Sequence, residues 1–411
     1  MRGNEREAWA REGRSVRWAT AIGVACGTIA VAVGLCGSVE RARGFSALTG
    51  ESPSVTARAA LPAAQTTSAP LRVGIAGLAH GHVLGFFEHY LHSPLIQIVG
   101  IAEPDEDLSG RIAKQYAFDK ALFYTSLDEM IEKTHPQAIL IYSSTYDHRK
   151  LVEICAKHHV DVMMEKPLAV SYEDARAMEK AANDGGIQVM VNYETTWYAS
   201  NRGAYELLHS GAIGEMRKFV AHDGHQGPKE IGVGPDFMKW LIDPKLDGAG
   251  ALYDFGCYGA DLVTWLMDGA EPVSVTAVTQ QIKPDEYPKV DDEATVIVTY
   301  PKAQAILQAS WNWPFGRKDI EVYGRTGYVK TVASDGLLVR REHDRQEEAQ
   351  QTAKPLAAPD DDELQYLRAV VLDKMKPEGP TSLRINMVTM EILDAARKSA
   401  ESGQTVVLYK Q

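Results

Sequence analysis

The chain has 411 residues, a formal net charge of -12 and a hydrophobic fraction of 45%. That length exceeds one ordinary domain of about 100–200 residues, the apolar fraction excludes a wholly disordered chain, and the acidic balance lacks the basic stripe of a nucleic-acid binder. Four cysteines are too few for a disulfide-built scaffold, which leaves a soluble multi-domain protein, either an enzyme or a ligand-binding protein.

Arg2, Arg6, Arg11, Arg14 and Arg17 precede an uncharged run at 19–39 that is rich in Ala, Gly and Val. A basic leader followed by an apolar run is the pattern of a secretory signal or signal anchor, and about 20 apolar residues suffice to span a bilayer. Residues 1–40 are therefore read as a signal peptide or membrane anchor, placing the protein outside the cytoplasm or tethered to a membrane; a cytoplasmic location is the alternative. Cys26, after Val24-Ala25, suits lipidation better than Cys36, although Gly23 is wrong one position back. Residues 41–70, dominated by Ala, Ser, Thr and Pro, read as a flexible tether.

A β-branched run at 71–76 predicts a buried strand. It meets GLAHGHV and then a helical stretch to His92. Strand, glycine turn and helix N-terminus form the setting of a dinucleotide fingerprint. Gly77 holds the first glycine position, Ala79 the second and His82 the third. A small residue at 79 still lets the backbone approach a pyrophosphate. His80 and His82 are read as touching cofactor or substrate rather than a metal. The next strand, 96–102, ends at Glu103, whose carboxylate can hold the ribose diol of NAD. Pro104 and Asp105 follow it instead of an arginine, which favours NAD over NADP.

Further elements alternate: a helix at 109–116, a strand at 138–142 running into Ser143-Ser144-Thr145, a helix at 147–159 carrying His148, a strand at 160–164 running into Glu165-Lys166-Pro167, a helix at 171–184 and a strand at 187–191. This alternation predicts an α/β fold, a Rossmann-type doubly wound parallel sheet spanning 71–192. Ligands bind such sheets at the carboxyl ends of the strands. Gly77, Ala79, His80, His82, Glu103, Ser143, Thr145, His148, Glu165 and Lys166 form the predicted cofactor-binding set.

Residues 193–411 read as a second, α+β domain. Strands at 215–222, 274–280, 293–300, 305–310 and 320–323 without long intervening helices predict an open, mainly antiparallel sheet. Helices at 258–267 and 384–402 and part of 362–375 complete it, the last two returning to the first domain. The polar, glycine-rich loop 222–240 is long enough to suggest function. His222, His225, Lys229 and Trp240, with Tyr193 and Trp197, are its predicted substrate-binding residues. His222, Asp223 and His225 lack a third and fourth ligand at zinc spacing, so hydroxyl binding and no metal is the expectation. Trp197, Trp311 and Trp313 suit sugar stacking and core packing equally.

The strand followed by Glu165-Lys166-Pro167-Leu168, the segment Gly248-Ala249-Gly250-Ala251-Leu252-Tyr253-Asp254-Phe255-Gly256-Cys257-Tyr258, and the tail from Asp394 to Gly403 together resemble the Gfo/Idh/MocA oxidoreductase family. The resemblance runs from Leu71 to near Leu408; the altered glycine turn is its main departure. It implies NAD(P)-dependent hydride transfer between nicotinamide and a sugar or polyol hydroxyl carbon. It makes Lys166, Asp254 and Tyr258 the expected catalytic set, with the Lys166 ammonium on the reacting hydroxyl. Tyr258 stands where most members have His, as in the glucose–fructose oxidoreductase branch. Asp254 and Tyr258, four apart, are expected to share a helix face. A phenol of pKa about 10 is a poor neutral-pH base, and Lys166 nearby is expected to favour phenolate. Glu194 and Thr195 replace the Asn and Arg of many members, implying a distinct substrate group.

Two other functions remain open at this point. One is an NAD-dependent glycosidase working by transient C3 oxidation and elimination; the other is a non-catalytic sugar- or nucleotide-binding protein. A tightly held, self-recycling cofactor would suit an exported protein. The resemblance also implies a homo-oligomer, dimer or tetramer.

Overall fold

The structure, a computed structural model, describes residues 69–345 and 348–409. Six apolar runs build a parallel sheet: β1 (Leu71–Ala76), β2 (Ile96–Ala102), β3 (Phe123–Tyr124), β4 (Ala138–Ile141), β5 (Asp161–Glu165) and β6 (Val189–Asn192), in the order β3-β2-β1-β4-β5-β6. All four residues of β4, AILI, are buried, as expected for a central strand covered on both faces. The strand order reverses between β1 and β4, and that switch point opens the crevice in which such sheets take a ligand.

Helices α1 (His82–Tyr90), α2 (Glu106–Gln115), α3 (Leu127–Thr134), α4 (His148–Lys157) and α5 (Tyr172–Gly185) join these strands. Helix α2 begins three residues before the expected position because the Asp105 side chain accepts the Asp107 and Leu108 backbone N–H groups, each at 3.0 Å, a cap worth about 1 kcal/mol. Helix α3, absent from the sequence reading, starts behind Ser126, whose hydroxyl accepts from Glu129 N.

The second sheet has nine strands: β7 (Met216–Gly224), β8 (Ser274–Gln280), β9 (Glu293–Thr299), β10 (Gln304–Ser310), β11 (Arg317–Gly324), β12 (Gly327–Val332), β13 (Gly336–Arg341), β14 (Ala349–Thr352) and β15 (Val406–Val407). They run β14-β13-β12-β11-β7-β10-β9-β8-β15, antiparallel except for the β7–β10 pair. Along β9 and β10 buried and part-exposed residues alternate, the period-two signature of a sheet with one covered face.

Helices α6 (Ala199–His209), α7 (Pro235–Leu241), α8 (Pro244–Asp247), α9 (Ala251–Asp254), α10 (Gly256–Leu266), α11 (Glu363–Leu372) and α12 (Leu383–Ser402) complete the chain. Every residue of α10 is buried, because β7, β10 and α12 all pack on it. Helix α12 also packs on α5 and β6. Helix α11 joins the core of the first sheet through Leu364, Leu367 and Val370.

No helix among the described residues is long and apolar enough to cross a membrane. The expected leader, 1–40, and all but the last two residues of the tether, 41–70, lie outside the described residues.

Candidate active site

The glycine turn is shaped for close approach. Gly77 has φ 83°, and a Cβ there would lie 2.8 Å from the Ser143 backbone, so only glycine fits. The Glu103 carboxylate, 7% exposed, accepts Leu78 N–H at 2.8 Å and Asp105 N–H at 2.9 Å. Burial raises its pKa, against those two backbone donors. Helix α1 has no acidic residue in its first turn, so its dipole favours an anion there, while the His82, Val83 and Leu84 N–H groups donate to His80 Nδ1, the His80 carbonyl and the Gly81 carbonyl.

Around this crevice His80 Nε2, Thr145 Oγ1 and His148 Nε2 are buried without a hydrogen-bond partner. A buried polar atom left unpaired costs about 1–3 kcal/mol, so three at one crevice fit a polar ligand. The residues present therefore suit a dinucleotide. Gly77→Ala is expected to weaken dinucleotide binding at least tenfold, read by fluorescence titration, since the methyl group collides with backbone that cannot yield.

Lys166 follows directly from β5, and its loop is pinned by His148, whose Nδ1 lies 3.2 Å from the Leu168 carbonyl. His148 is fully buried, so it holds this loop and leaves at most its Nε2 for a ligand. The Lys166 ammonium donates to the Asp254 carboxylate and, at 3.2 Å, to the Asp254 carbonyl. The Trp311 indole N–H donates to the other Asp254 oxygen at 3.0 Å. Burial by itself would lower Lys166 and raise Asp254; their mutual attraction outweighs it, holding the lysine above and the carboxyl below their ordinary ranges. Both are therefore charged at neutral pH.

Asp254 closes α9, and the short segment before it is held tightly. The Asp291 carboxylate accepts Gly250 N–H at 3.1 Å and Leu252 N–H at 2.7 Å. A Cβ on Gly250 would lie 2.0 Å from the Asp291 carbonyl, which requires glycine. Asp254 and Tyr258 do not share one continuous helix: the chain breaks at Phe255 between α9 and α10. They still converge, since the Lys166 ammonium stands 5.4 Å from the Tyr258 ring centroid.

The expected route to phenolate is corrected. The cation at the Tyr258 hydroxyl is Lys318, at 3.3 Å, while Lys166 is engaged by Asp254. Burial pushes the Tyr258 phenol well above its ordinary pKa, with Lys318 opposing, so the resting side chain is a neutral phenol.

Beside these groups opens a cavity of ≈ 520 Å³ lined by Glu194, Tyr198, His225, Phe255, Lys318 and Asp319 among others. A larger one, ≈ 750 Å³, includes Trp197; Lys166, Asp254 and Tyr258 line neither, but Lys318 and Phe255, which touch Tyr258, line only the smaller. The chemistry marks the smaller cavity as the substrate side. Of the expected substrate residues, only His225 lines it. His222 Nδ1 lies 3.2 Å from the Asp319 carboxylate behind the wall.

The others are displaced for physical reasons. Tyr193 is fully buried and its hydroxyl donates to Asn386 at 3.0 Å. Trp197 donates to Asn192 and packs edge-on against Tyr366. Lys229 pairs with Glu286 at the surface. Trp240 braces the glycine turn, donating to the Ala79 carbonyl at 3.3 Å and packing on His80 with Phe237. Trp311 is core, not a sugar platform.

His80, His82 and Glu165 converge within 4.8 Å, as do Asp128, Glu132 and His158. His80 Nδ1 accepts the His82 backbone N–H at 3.3 Å. The proton of a neutral His80 then sits on Nε2, which stands 3.9 Å from the Glu165 carboxylate without a hydrogen bond. Burial, then His82, lowers the His80 pKa well below its ordinary value, in keeping with a neutral ring. Glu194, which departs from the family pattern, and Lys318, which no motif marked, are the residues the sequence reading did not assign to the site.

The model of the oxidoreductase family, NAD-binding Rossmann fold, matches residues 71–193, and that of the GFO/IDH/MocA C-terminal domain matches 201–330. The trans-1,2-dihydrobenzene-1,2-diol dehydrogenase of Xenopus laevis is 28% identical over 215 residues, 52% of this chain and 61% of that protein. The D-apiose dehydrogenase of Rhizobium rhizogenes is 25% identical over 283 residues, 65% of this chain and 77% of that one. The aldose-aldose oxidoreductase of Caulobacter crescentus, solved with glycerol, superposes with a TM-score of 0.68 at 21% identity, covering 82% of this chain and 100% of that one.

Proposed function

The chain belongs to the Gfo/Idh/MocA family of NAD-binding oxidoreductases, and from that premise we propose that it moves hydride between nicotinamide and the hydroxyl carbon of a sugar or polyol. The observation that carries the reading is the buried Lys166–Asp254 pair, its ammonium 5.4 Å from the Tyr258 ring centroid. Relatives named as a diol dehydrogenase and an apiose dehydrogenase support the substrate class.

Bound NAD supplies the hydride acceptor. Gly77, the N-terminus of α1 and Glu103 would hold it, with Ser143, Thr145 and Glu165 along the crevice. The phosphate side is braced by Trp240, and Arg111 of α2 pairs with Asp236 of α7 at 2.7 Å, tying that brace to the nucleotide side. A buried carboxylate at 103 repels a 2′-phosphate, which favours NAD over NADP. Glu103→Ala is expected to lower NAD affinity about tenfold, some 1.4 kcal/mol, without a matching loss for NADP; parallel titrations with the two cofactors check this.

The chain's own groups handle the oxygen and its proton. Lys166 spends part of its donor capacity on Asp254, and a free N–H can point at the reacting hydroxyl, stabilising negative charge as it develops. Asp254, oriented by Trp311, keeps that ammonium charged and aimed. Tyr258 exchanges the hydroxyl proton: it accepts it in oxidation and returns it to the carbonyl oxygen in reduction. A resting phenol makes the reduction direction ready at neutral pH.

Purification without added cofactor, followed by the reduced-nicotinamide absorbance and assays on sugars, polyols and aryl glycosides, tests this reading. Net NADH with a sugar or polyol supports it. Aglycone release without net NADH would assign a redox-neutral glycosidase instead, and failure to bind nicotinamide would overturn both. Residues 1–40 as leader or anchor, and assembly into a dimer or tetramer, complete the proposal.

A further inference from the structure

Lys318 comes from β11, sixty residues beyond Tyr258 in the chain. Its ammonium lies 3.3 Å from the Tyr258 hydroxyl oxygen and 4.5 Å from the centroid of that ring. A second contact anchors it to the Glu194 carboxylate, which also accepts from the Tyr198 hydroxyl. The lysine side chain is 22% exposed and the glutamate 52%, and both line the cavity. A row of polar groups therefore leads from a phenol that is 2% exposed to the solvent side of the cavity.

A buried phenol does not ionise easily, because desolvation penalises the phenolate. An ammonium at hydrogen-bond distance offsets that penalty, and an opposite charge this close is worth about 1–3 pK units. Lys166 is placed differently, 5.4 Å from the ring centroid with its hydrogen bonds on Asp254. The other groups around Tyr258 do not help a phenolate: Glu194 from the turn after β6, Asp254 of α9, Cys257 on its own helix, the Tyr193 ring 5.6 Å away. Asp223 of β7, buried with one carboxylate oxygen unpaired, lies within electrostatic reach of Lys318, and burial raises its pKa well above the ordinary carboxylate range with Lys318 opposing. Lys318 is thus the cation with both contact and orientation.

We propose that Lys318 is the positioning residue for proton transfer at Tyr258, holding its hydroxyl toward the cavity and stabilising its phenolate, with Glu194 as its anchor. This rests on the reading that Tyr258 exchanges the substrate proton. In oxidation the phenol first gives its proton to water at the cavity. The substrate O–H proton then moves to the phenolate oxygen as the carbinol C–H electron pair passes as hydride to the nicotinamide, and the carbonyl forms. Lys318 stays protonated throughout.

The test compares Lys318→Met, Lys318→Arg and Tyr258→Phe by the pH profile of kcat/KM for oxidation. A second readout, without cofactor, is the tyrosinate absorbance that Tyr258→Phe removes. Lys318→Met is expected to move the alkaline-rising limb up by at least one pH unit, a loss of about 10–100-fold at neutral pH. The tyrosinate titration should move with it, NAD affinity should stay within twofold, and Lys318→Arg should restore most of the limb. An unmoved limb and tyrosinate titration in Lys318→Met would overturn this proposal alone. A Tyr258→Phe variant with the full rate and profile would instead overturn the reading on which it rests.

Discussion

Lys166→Ala is expected to lower kcat/KM by about 10²–10³-fold, the usual loss when one donor to a developing oxyanion is removed, with NAD affinity little changed. It is also expected to destabilise the fold. Lys166 is 6% and Asp254 10% exposed at the side chain, and breaking such a pair from one side costs about 3–5 kcal/mol, because the remaining charge stays buried. The pH dependence separates the two effects. In the wild type Asp254 titrates below its ordinary value, so the pair's stabilisation is present above the unfolded carboxyl pKa and is lost as pH falls through the depressed folded value. Without Lys166 burial dominates and raises Asp254. The variant's stability should then fall as pH rises from acid to neutral, read by thermal denaturation. Pairing Lys166→Ala with Asp254→Asn should recover much of the stability and none of the turnover. Recovery of turnover, or near-normal turnover in Lys166→Ala, would sink the role given to the lysine.

Tyr258→Phe should be the cleaner loss. The ring packs against Tyr193 and Phe255, and phenylalanine keeps those contacts, so the fold should stand. Removing a positioned acid–base group typically costs about 10²–10⁴-fold. The sign of its pH effect follows from burial, which raises the phenol pKa above the ordinary value. Wild-type oxidation should therefore climb as pH rises into the alkaline range, whereas reduction, which needs the phenol, should stay level near neutrality. Tyr258→Phe should flatten the oxidation limb. A variant retaining both rate and slope would assign the proton to another group.

Much of this arrangement is legible in the residue order. The runs LRVGIA, IQIVGIA and AILI are apolar because the sheet is covered on both faces, so their strands announce themselves. Glu165-Lys166-Pro167 and the segment ending at Tyr258 are contiguous, so their resemblance to a family can be seen without a fold. Strand β14 escapes because AQQT carries no apolar alternation, while β12 and β13 bury only two residues each, set among glycine and charged residues. Lys318 escapes for another reason: only the pairing of β11 with β7, Lys318 opposite Asp223, carries it to the cavity. Tyr193, Trp197, Lys229 and Trp240 illustrate the converse. Their types suit sugar binding, but each spends its polar atom on a protein partner, and sequence cannot reveal where a hydrogen bond is already used. Chain order also hid the break at Phe255, because four residues of spacing look like one helical turn.

Hydride is proposed to pass between a sugar or polyol carbon and nicotinamide at the Lys166–Asp254–Tyr258 site. Incubating the NAD-loaded protein with aldoses and polyols deuterated on carbon, then analysing the cofactor by mass spectrometry, tests it directly. Deuterium is expected on the nicotinamide ring with at least one of these substrates, and its loss in Tyr258→Phe. Bound NAD that gains no deuterium from any of them would contradict it.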